Sequence, residues 1–128
     1  MLLTDKVAIV TGGGSGIGEA TSLRFSQEGA AVVVADMRLR KAKEVAKQIN
    51  EQGGHALAIE VDVSIPESVA TLVERTVAEY GQLDVMFNNA GTLRPGTVIE
   101  LDVDAWDLVM GVNVRSVSLG GKFAIPAM

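Results

Sequence analysis

The chain has 128 residues, 11 of them Lys or Arg and 16 Asp or Glu, so its formal net charge is −5, and 48% of it is apolar. That is enough chain for one sizeable core and too apolar for intrinsic disorder. The acidic balance argues against a nucleic-acid or membrane-surface partner, and the absence of cysteine removes disulfide and thiolate chemistry.

No apolar run approaches the roughly 20 residues that cross a bilayer, and Asp5 and Lys6 follow Met1–Thr4 directly, so no secretory leader is expected. The expectation is a soluble, cytoplasmic protein forming one domain over residues 1–128.

Val7–Val10 reads as a first strand, and a glycine-rich run follows it. Ile17, Ala20, Thr21 and Phe25 then outline a helix that starts inside the glycines and stops at Gly29. Ala31–Ala35 is the second strand, closed by Asp36. Leu39, Ala42, Val45, Ala46 and Ile49 repeat at helical spacing, and Gly53-Gly54 offers a left-handed stop. His55 falls in a turn before a third strand at Ala56–Val63. Ser64 and Glu67 stand at capping-box spacing with Pro66 in the first turn. The helix they introduce carries Val69, Leu72, Val73, Thr76, Val77 and Tyr80 and ends at Gly81. Leu83–Phe87 is a fourth strand. Asp104–Met128 reads as a last helix, apolar or small on most sides and therefore largely buried, with Trp106 in core or interface.

The order is β-α-β-α-β-α-β-α. Nearly continuous β-branched strands suit a sheet covered on both faces, and the alternation implies right-handed crossovers and an α/β, doubly wound parallel sheet.

Five of the 14 glycines fall within Thr11-Gly12-Gly13-Gly14-Ser15-Gly16-Ile17-Gly18, between a strand and a helix. Glycine lets backbone approach a pyrophosphate closely, and the free N–H groups of a helix start favour its charge. The alternative is a plain glycine-rich turn. A P-loop is excluded, since Glu19 stands where Lys is required. Asp36 lies 18 residues beyond Gly18, where a carboxylate accepts hydrogen bonds from both ribose hydroxyls of an adenosine and repels a 2′-phosphate. Otherwise it is a solvated strand-end residue. Met37 and Ser15 supply no cation for a phosphate, whereas Arg38 does. NAD is favoured over NADP.

Asp62-Val63, Gly81-Gln82-Leu83-Asp84, Asn88-Asn89-Ala90-Gly91 and Val112-Asn113-Val114 extend the pattern along the chain. With Thr11-Gly12, Gly16 and Gly18, they make it resemble the cofactor-binding, N-terminal half of the short-chain dehydrogenase/reductase family. The resemblance implies a Rossmann-type sheet in the order 3-2-1-4, with a fifth strand beside the fourth. It implies that Gly12, Gly16 and Gly18 cradle the pyrophosphate, with Ser15 beside them and Ile17 near the nicotinamide-side ribose. Asp62 would bond the adenine amine with Val63 next to it. Asn89, Ala90 and Gly91 would line the crevice, tied to the first strand by Thr11, and Asn88 would be structural. Asn113 would kink the last helix, its carbonyl holding a water of the family's proton relay, and is the one catalytic position carried over. Pairing of two subunits through the last helix is also implied. Each position has a plain structural alternative: Asn89-Ala90-Gly91 ends a strand, and Asn113 bonds a neighbouring turn.

The family's acid–base tyrosine needs a lysine four residues on, and an orienting serine follows its fifth strand. The sole tyrosine, Tyr80, has Asp84 at that spacing, and Ser116 and Ser118 fall in the last helix. No catalytic serine, tyrosine or lysine is assignable. One histidine and no cysteine argue against a metal site, and no nucleophile elbow is present. The chain is thus expected to be part of a longer one, with the fourth strand left as an aggregation-prone edge, inactive alone and acting on an alcohol or carbonyl when complete. A non-enzymatic dinucleotide-binding or regulatory module, complete at 128 residues, is the competing expectation. A phosphorelay receiver would need an acidic pair where Thr11-Gly12-Gly13 stands, and is set aside.

Overall fold

The computed structural model describes residues 1–128. In chain order it contains β1 (Val7–Thr11), α1 (Gly16–Gln27), β2 (Ala31–Asp36), α2 (Leu39–Glu51), β3 (His55–Glu60), α3 (Pro66–Tyr80) and β4 (Val85–Phe87). Helix α4 (Val103–Met110), a π-helical turn at Gly111–Arg115 and α5 (Ser116–Ala127) complete it. The four strands are parallel in the order β3-β2-β1-β4. That is the doubly wound sheet expected from the alternation.

Side chains leave alternate faces of a strand, so a sheet covered twice needs apolar residues at every position. Ile9, Val33, Ala35 and Ile59 join Leu72 and Val73 of α3 and Val112 and Ala124 of the last helical stretch in one core. Val10, Val32 and Val34 face the other way, onto Ala42, Val45, Ala46 and Ile49 of α2, with Leu23 and Phe25 of α1 beside them. The buried positions of α2 and α3 recur every three or four residues, which aims one stripe of each helix at the sheet. Gly81 ends α3 in the left-handed region, at φ 78°, with its N–H donating to the Val77 carbonyl.

Several expectations are corrected. The ladder of β3 stops at Glu60, although Val61 and Val63 stay buried, and it begins at His55, which is in the strand rather than in a turn. The ladder of β4 begins at Val85 rather than Leu83. The capping box does not form: Ile65 is the N-cap, and the Ser64 hydroxyl donates to Asp62 Oδ1 instead. The last helix is two helices around a π turn. Its first part buries no residue, and Trp106 is exposed, so the apolar character of α4 does not translate into core.

At the amino ends of β1 and β4 the chain closes on itself. Val7 N–H donates to Asp84 Oδ2 at 2.8 Å, and Asp84 N–H donates to the Val7 carbonyl at 2.9 Å. Gln82 Nε2 donates to the same carboxylate oxygen at 2.7 Å, and Lys6 Nζ lies 3.9 Å from the other. The Val7 N–H bond, helped by Gln82 and Lys6 and opposed by partial burial, holds the Asp84 carboxyl below its ordinary value of 3.8. A carboxyl depressed on folding stabilises the native state above the unfolded value, and that stabilisation is lost as pH falls through the folded one. Asp84→Asn is therefore expected to lower stability at neutral pH and to flatten the loss of stability below pH 3.8. Urea denaturation of both proteins at pH 7 and across the acid limb measures this; parallel curves would show that Asp84 contributes nothing.

Candidate functional site

A cleft of about 560 Å³ opens at the carboxyl ends of the strands, where open α/β sheets bind ligands. The end of β2 supplies Asp36, Met37 and Arg38. The loop after β1 supplies Gly12 and Ser15, and α1 supplies Ile17. The stretch beyond β4 supplies Asn89–Thr92 and Arg94, while Val61, Val63, Leu108 and Val112 form an apolar wall. A depression of about 580 Å³ between α2 and the β3 edge lies away from the strand ends, lined by surface residues such as Lys43, Lys47 and Asn50.

The glycine-rich loop owes its shape to what its residues lack. A Cβ on Gly18 would sit 2.0 Å from the Gly12 carbonyl oxygen, so only glycine lets α1 begin this close to the end of β1. Gly16 holds φ at 55°, where a side chain is strained, and a Cβ there would meet nothing within 4 Å. No side chain caps α1: Ser15 is its N-cap, and its hydroxyl accepts from no helix N–H. The first-turn N–H groups of α1, which have no partners inside the helix, are thus left for a ligand beside an open space. This is the observation on which a bound pyrophosphate fits.

Asp36 is 6% exposed at the end of β2. Its Oδ2 accepts from Gly14 N–H at 3.0 Å and its Oδ1 from Arg38 N–H at 2.9 Å. Each oxygen retains acceptor capacity toward the cleft.

The opposite wall hangs on one hydroxyl. Thr11 Oγ1 accepts from Asn89 N–H at 3.0 Å and Ala90 N–H at 3.1 Å, and donates to the Phe87 carbonyl at 3.3 Å. Asn89 Nδ2 donates back to the Thr11 carbonyl at 3.0 Å. Farther along, Asn113 in the π turn grips Thr92: Oδ1 accepts from its N–H at 2.8 Å and Nδ2 donates to its carbonyl at 2.9 Å. A π turn inserts an extra residue into a helix and re-aims side chains there.

Of the positions singled out in the sequence, Gly12, Ser15, Ile17, Asp36, Val63, Asn89, Ala90 and Gly91 line the cleft. Gly16 and Gly18 shape the loop from behind. Asp62 and Asn113 do not line it. Asp62 Oδ1 accepts from the Ser64 N–H and hydroxyl, turning the chain into α3. Asn88 faces α5, its Oδ1 2.0 Å from where a Cβ of Gly120 would be, which agrees with a structural role. Thr92 and Arg94 belong to the segment 92–101 that the sequence placed along the pocket, whereas sequence reasoning missed Val61, Leu108 and Val112. Their only signal was position near the strand ends, since each reads as ordinary core or helix.

The family model for short chain dehydrogenases matches residues 6–128. The chain belongs to the short-chain dehydrogenase family. It is 42% identical over 125 residues to cis-4-hydroxycyclohexanecarboxylate dehydrogenase of Sinomonas cyclohexanicum, covering 97% of this chain and 50% of that protein. It is 38% identical to meso-2,3-butanediol dehydrogenase of Serratia marcescens over 126 residues, 98% of this chain and 49% of that one. A double mutant of a Serratia marcescens short-chain dehydrogenase/reductase superposes with a TM-score of 0.95 at 38% identity, covering 100% of this chain and 53% of that structure. A hydroxysteroid dehydrogenase from Escherichia coli gives 0.94 at 30% identity, over 98% of this chain and 53% of that one. This short-chain dehydrogenase sequence therefore spans about half the length of the relatives it matches.

Thr11→Val keeps the shape and removes the acceptor for two N–H groups. It is expected to destabilise the chain by about 1–3 kcal/mol, measured by urea denaturation. An unchanged midpoint would show that the hydroxyl does not hold the β4 wall.

Proposed function

We propose that these residues form the NAD-binding half of an oxidoreductase that moves a hydride between a nicotinamide cofactor and a small alcohol or carbonyl compound. The reading rests on the uncapped, open start of α1 at Gly16, with Asp36 at the neighbouring strand end. The family's nicotinamide cofactors support it, as do relatives named as dehydrogenases of hydroxylated small molecules.

In this reading the backbone of Gly12, Ser15, Gly16 and Gly18 holds the pyrophosphate, and Ile17 borders the nicotinamide-side ribose. Asp36 accepts from the hydroxyls of the adenosine ribose. Val63 and the apolar wall cover the adenine, and Asp62, whose Oδ1 accepts from Ser64, is assigned the family's contact with the adenine amine. Asn89, Ala90 and Gly91 form the far wall. Asn113 is assigned the family's role of holding a relay water on its main-chain carbonyl, while its side chain is committed to Thr92. The nicotinamide, when bound, supplies the hydride chemistry; the residues described here bind and orient it.

The acid–base group is not among them. Tyr80 packs beside the α3 core and does not line the cleft; burial, followed by the Glu79 charge, raises its hydroxyl above 10.0, opposite to what proton transfer near neutrality requires. Val103, Trp106, Val114, Val117 and Ile125 are exposed apolar residues along α4 to α5, and they support subunit pairing through this last helical stretch.

Isothermal titration with NAD tests the site. Binding is expected, and Asp36→Ala should weaken it by about 1–3 kcal/mol, or about 5- to 150-fold; equal affinity would refute the ribose contact. Turnover of cyclohexanol with NAD by the 128-residue chain is expected to be undetectable, and robust activity would overturn the assignment of a binding half.

A further inference from the structure

Strand β3 is an outer strand of the sheet and pairs only with β2. Along an extended strand, the backbone groups of successive residues point to opposite sides. Val61 N–H, just past the end of β3, donates to the Asp36 carbonyl at 3.1 Å, so the odd-numbered residues here face β2. Ala56, Ala58 and Glu60 consequently turn their N–H and C=O outward, where another strand would add.

One of these outward residues is already taken. Asn50, in the last turn of α2, accepts from Ala56 N–H on Oδ1 at 2.8 Å and donates from Nδ2 to the Ala56 carbonyl at 3.1 Å. A side-chain amide carries both a donor and an acceptor, so Asn50 stands where a neighbouring strand would make its contacts with Ala56. Asn50 is itself exposed, at a helical position where alanine has the higher propensity. Neither burial nor helix formation calls for an asparagine there.

We propose that Asn50 is a guard residue, which keeps the β3 edge from pairing with a second copy of this chain. The edge is otherwise self-complementary. In an antiparallel pairing about Ala58, Ala58 meets Ala58, and each Ala56 exchanges hydrogen bonds with Glu60 of the second copy. Ala56 and Ala58 pack toward α2, and alternate side chains share a face, so Glu60 lies on that face too. Pairing brings it alongside Ala56 of the other copy, where Lys43 and Lys47 line the depression between α2 and β3. Neither Lys43 nor Glu60 has an ion-pair partner within the chain, so the contact joins free charges of opposite sign. With Asn50 on Ala56 in both copies, only the central Ala58 pair remains. That is too little to offset the cost of association.

Sedimentation velocity over a concentration series tests the proposal, with circular dichroism confirming the fold of each variant. Asn50→Ala should form species of at least about twice the wild-type mass as concentration rises. Its Ala58 and Glu60 amides should gain protection from hydrogen exchange over the same range. Asn50→Asp still accepts from Ala56 and sets a like charge against Glu60, so it should keep the wild-type mass. Ala58→Pro removes one outward N–H and spares the β2 ladder; combined with Asn50→Ala, it should restore the wild-type mass. An Asn50→Ala protein with a lower urea midpoint but unchanged mass would make Asn50 a mere closure of the turn between α2 and β3, and would overturn the proposal. Association that Ala58→Pro does not reverse, or that leaves the Ala58 and Glu60 amides exchanging as before, places the contact elsewhere and overturns it equally. Concentration-dependent protection of those amides in the wild type would show the edge to be unguarded.

Discussion

The carbonyl oxygen of Gly12 and the Cα of Gly18 approach so closely that no side-chain carbon fits between them, and the geometry of the cleft follows from that contact. It sets the start of α1 against the end of β1, with no room for a side chain at position 18. The N–H groups of the first helical turn then face the space at the strand ends. No side chain caps them, and the Ser15 hydroxyl accepts from Arg38. A larger residue at position 18 would push helix and strand apart and carry the donors away from the ends of β2 and β4.

The same contact organises the two walls. On one side, Gly14 N–H donates from the loop to Asp36, tying the β2 terminus to the loop. On the other, Thr11 gathers the backbone of Asn89 and Ala90, and the Asn89 amide reaches back to the Thr11 and Gly12 carbonyls. Polar contacts of this kind are strong determinants of position in a low-dielectric setting, because any member left unpaired there is costly. The apolar layers hold the sheet together; these few hydrogen bonds aim its ends.

Most of the architecture was legible because a doubly covered sheet leaves continuous β-branched runs and its helices leave a regular stripe. Hydrophobicity, however, reports burial and not pairing. Val61 and Val63 are buried beyond the last ladder pair of β3, so the third strand read too long. The exposed apolar residues of α4 misled in the opposite way, since apolar composition alone does not tell a covered face from an open one. The Ser64–Glu67 spacing fitted a capping box, but the Ser64 hydroxyl donates its hydrogen bond to Asp62 Oδ1 instead. The π turn has no periodic signature, and only the Asn113 resemblance hinted at a break. At the site, the cleft residues were legible wherever glycine, Asp36 or the Asn89-Ala90-Gly91 run marked them. The Arg38–Ser15 bridge joins positions 23 apart in sequence, a pairing that no local pattern encodes.

The shortness of β4 has a mechanical consequence. Only three of its residues pair with β1, against five pairs between β1 and β2 and six between β2 and β3. Its attachment depends on side-chain ties at its two ends, Asp84 at the entrance and Thr11 at the exit. Local opening proceeds where few ladder bonds must break together. The cleft therefore has one bank held by a long ladder, built on β2, and one held by a short ladder and two side-chain ties, built on β4.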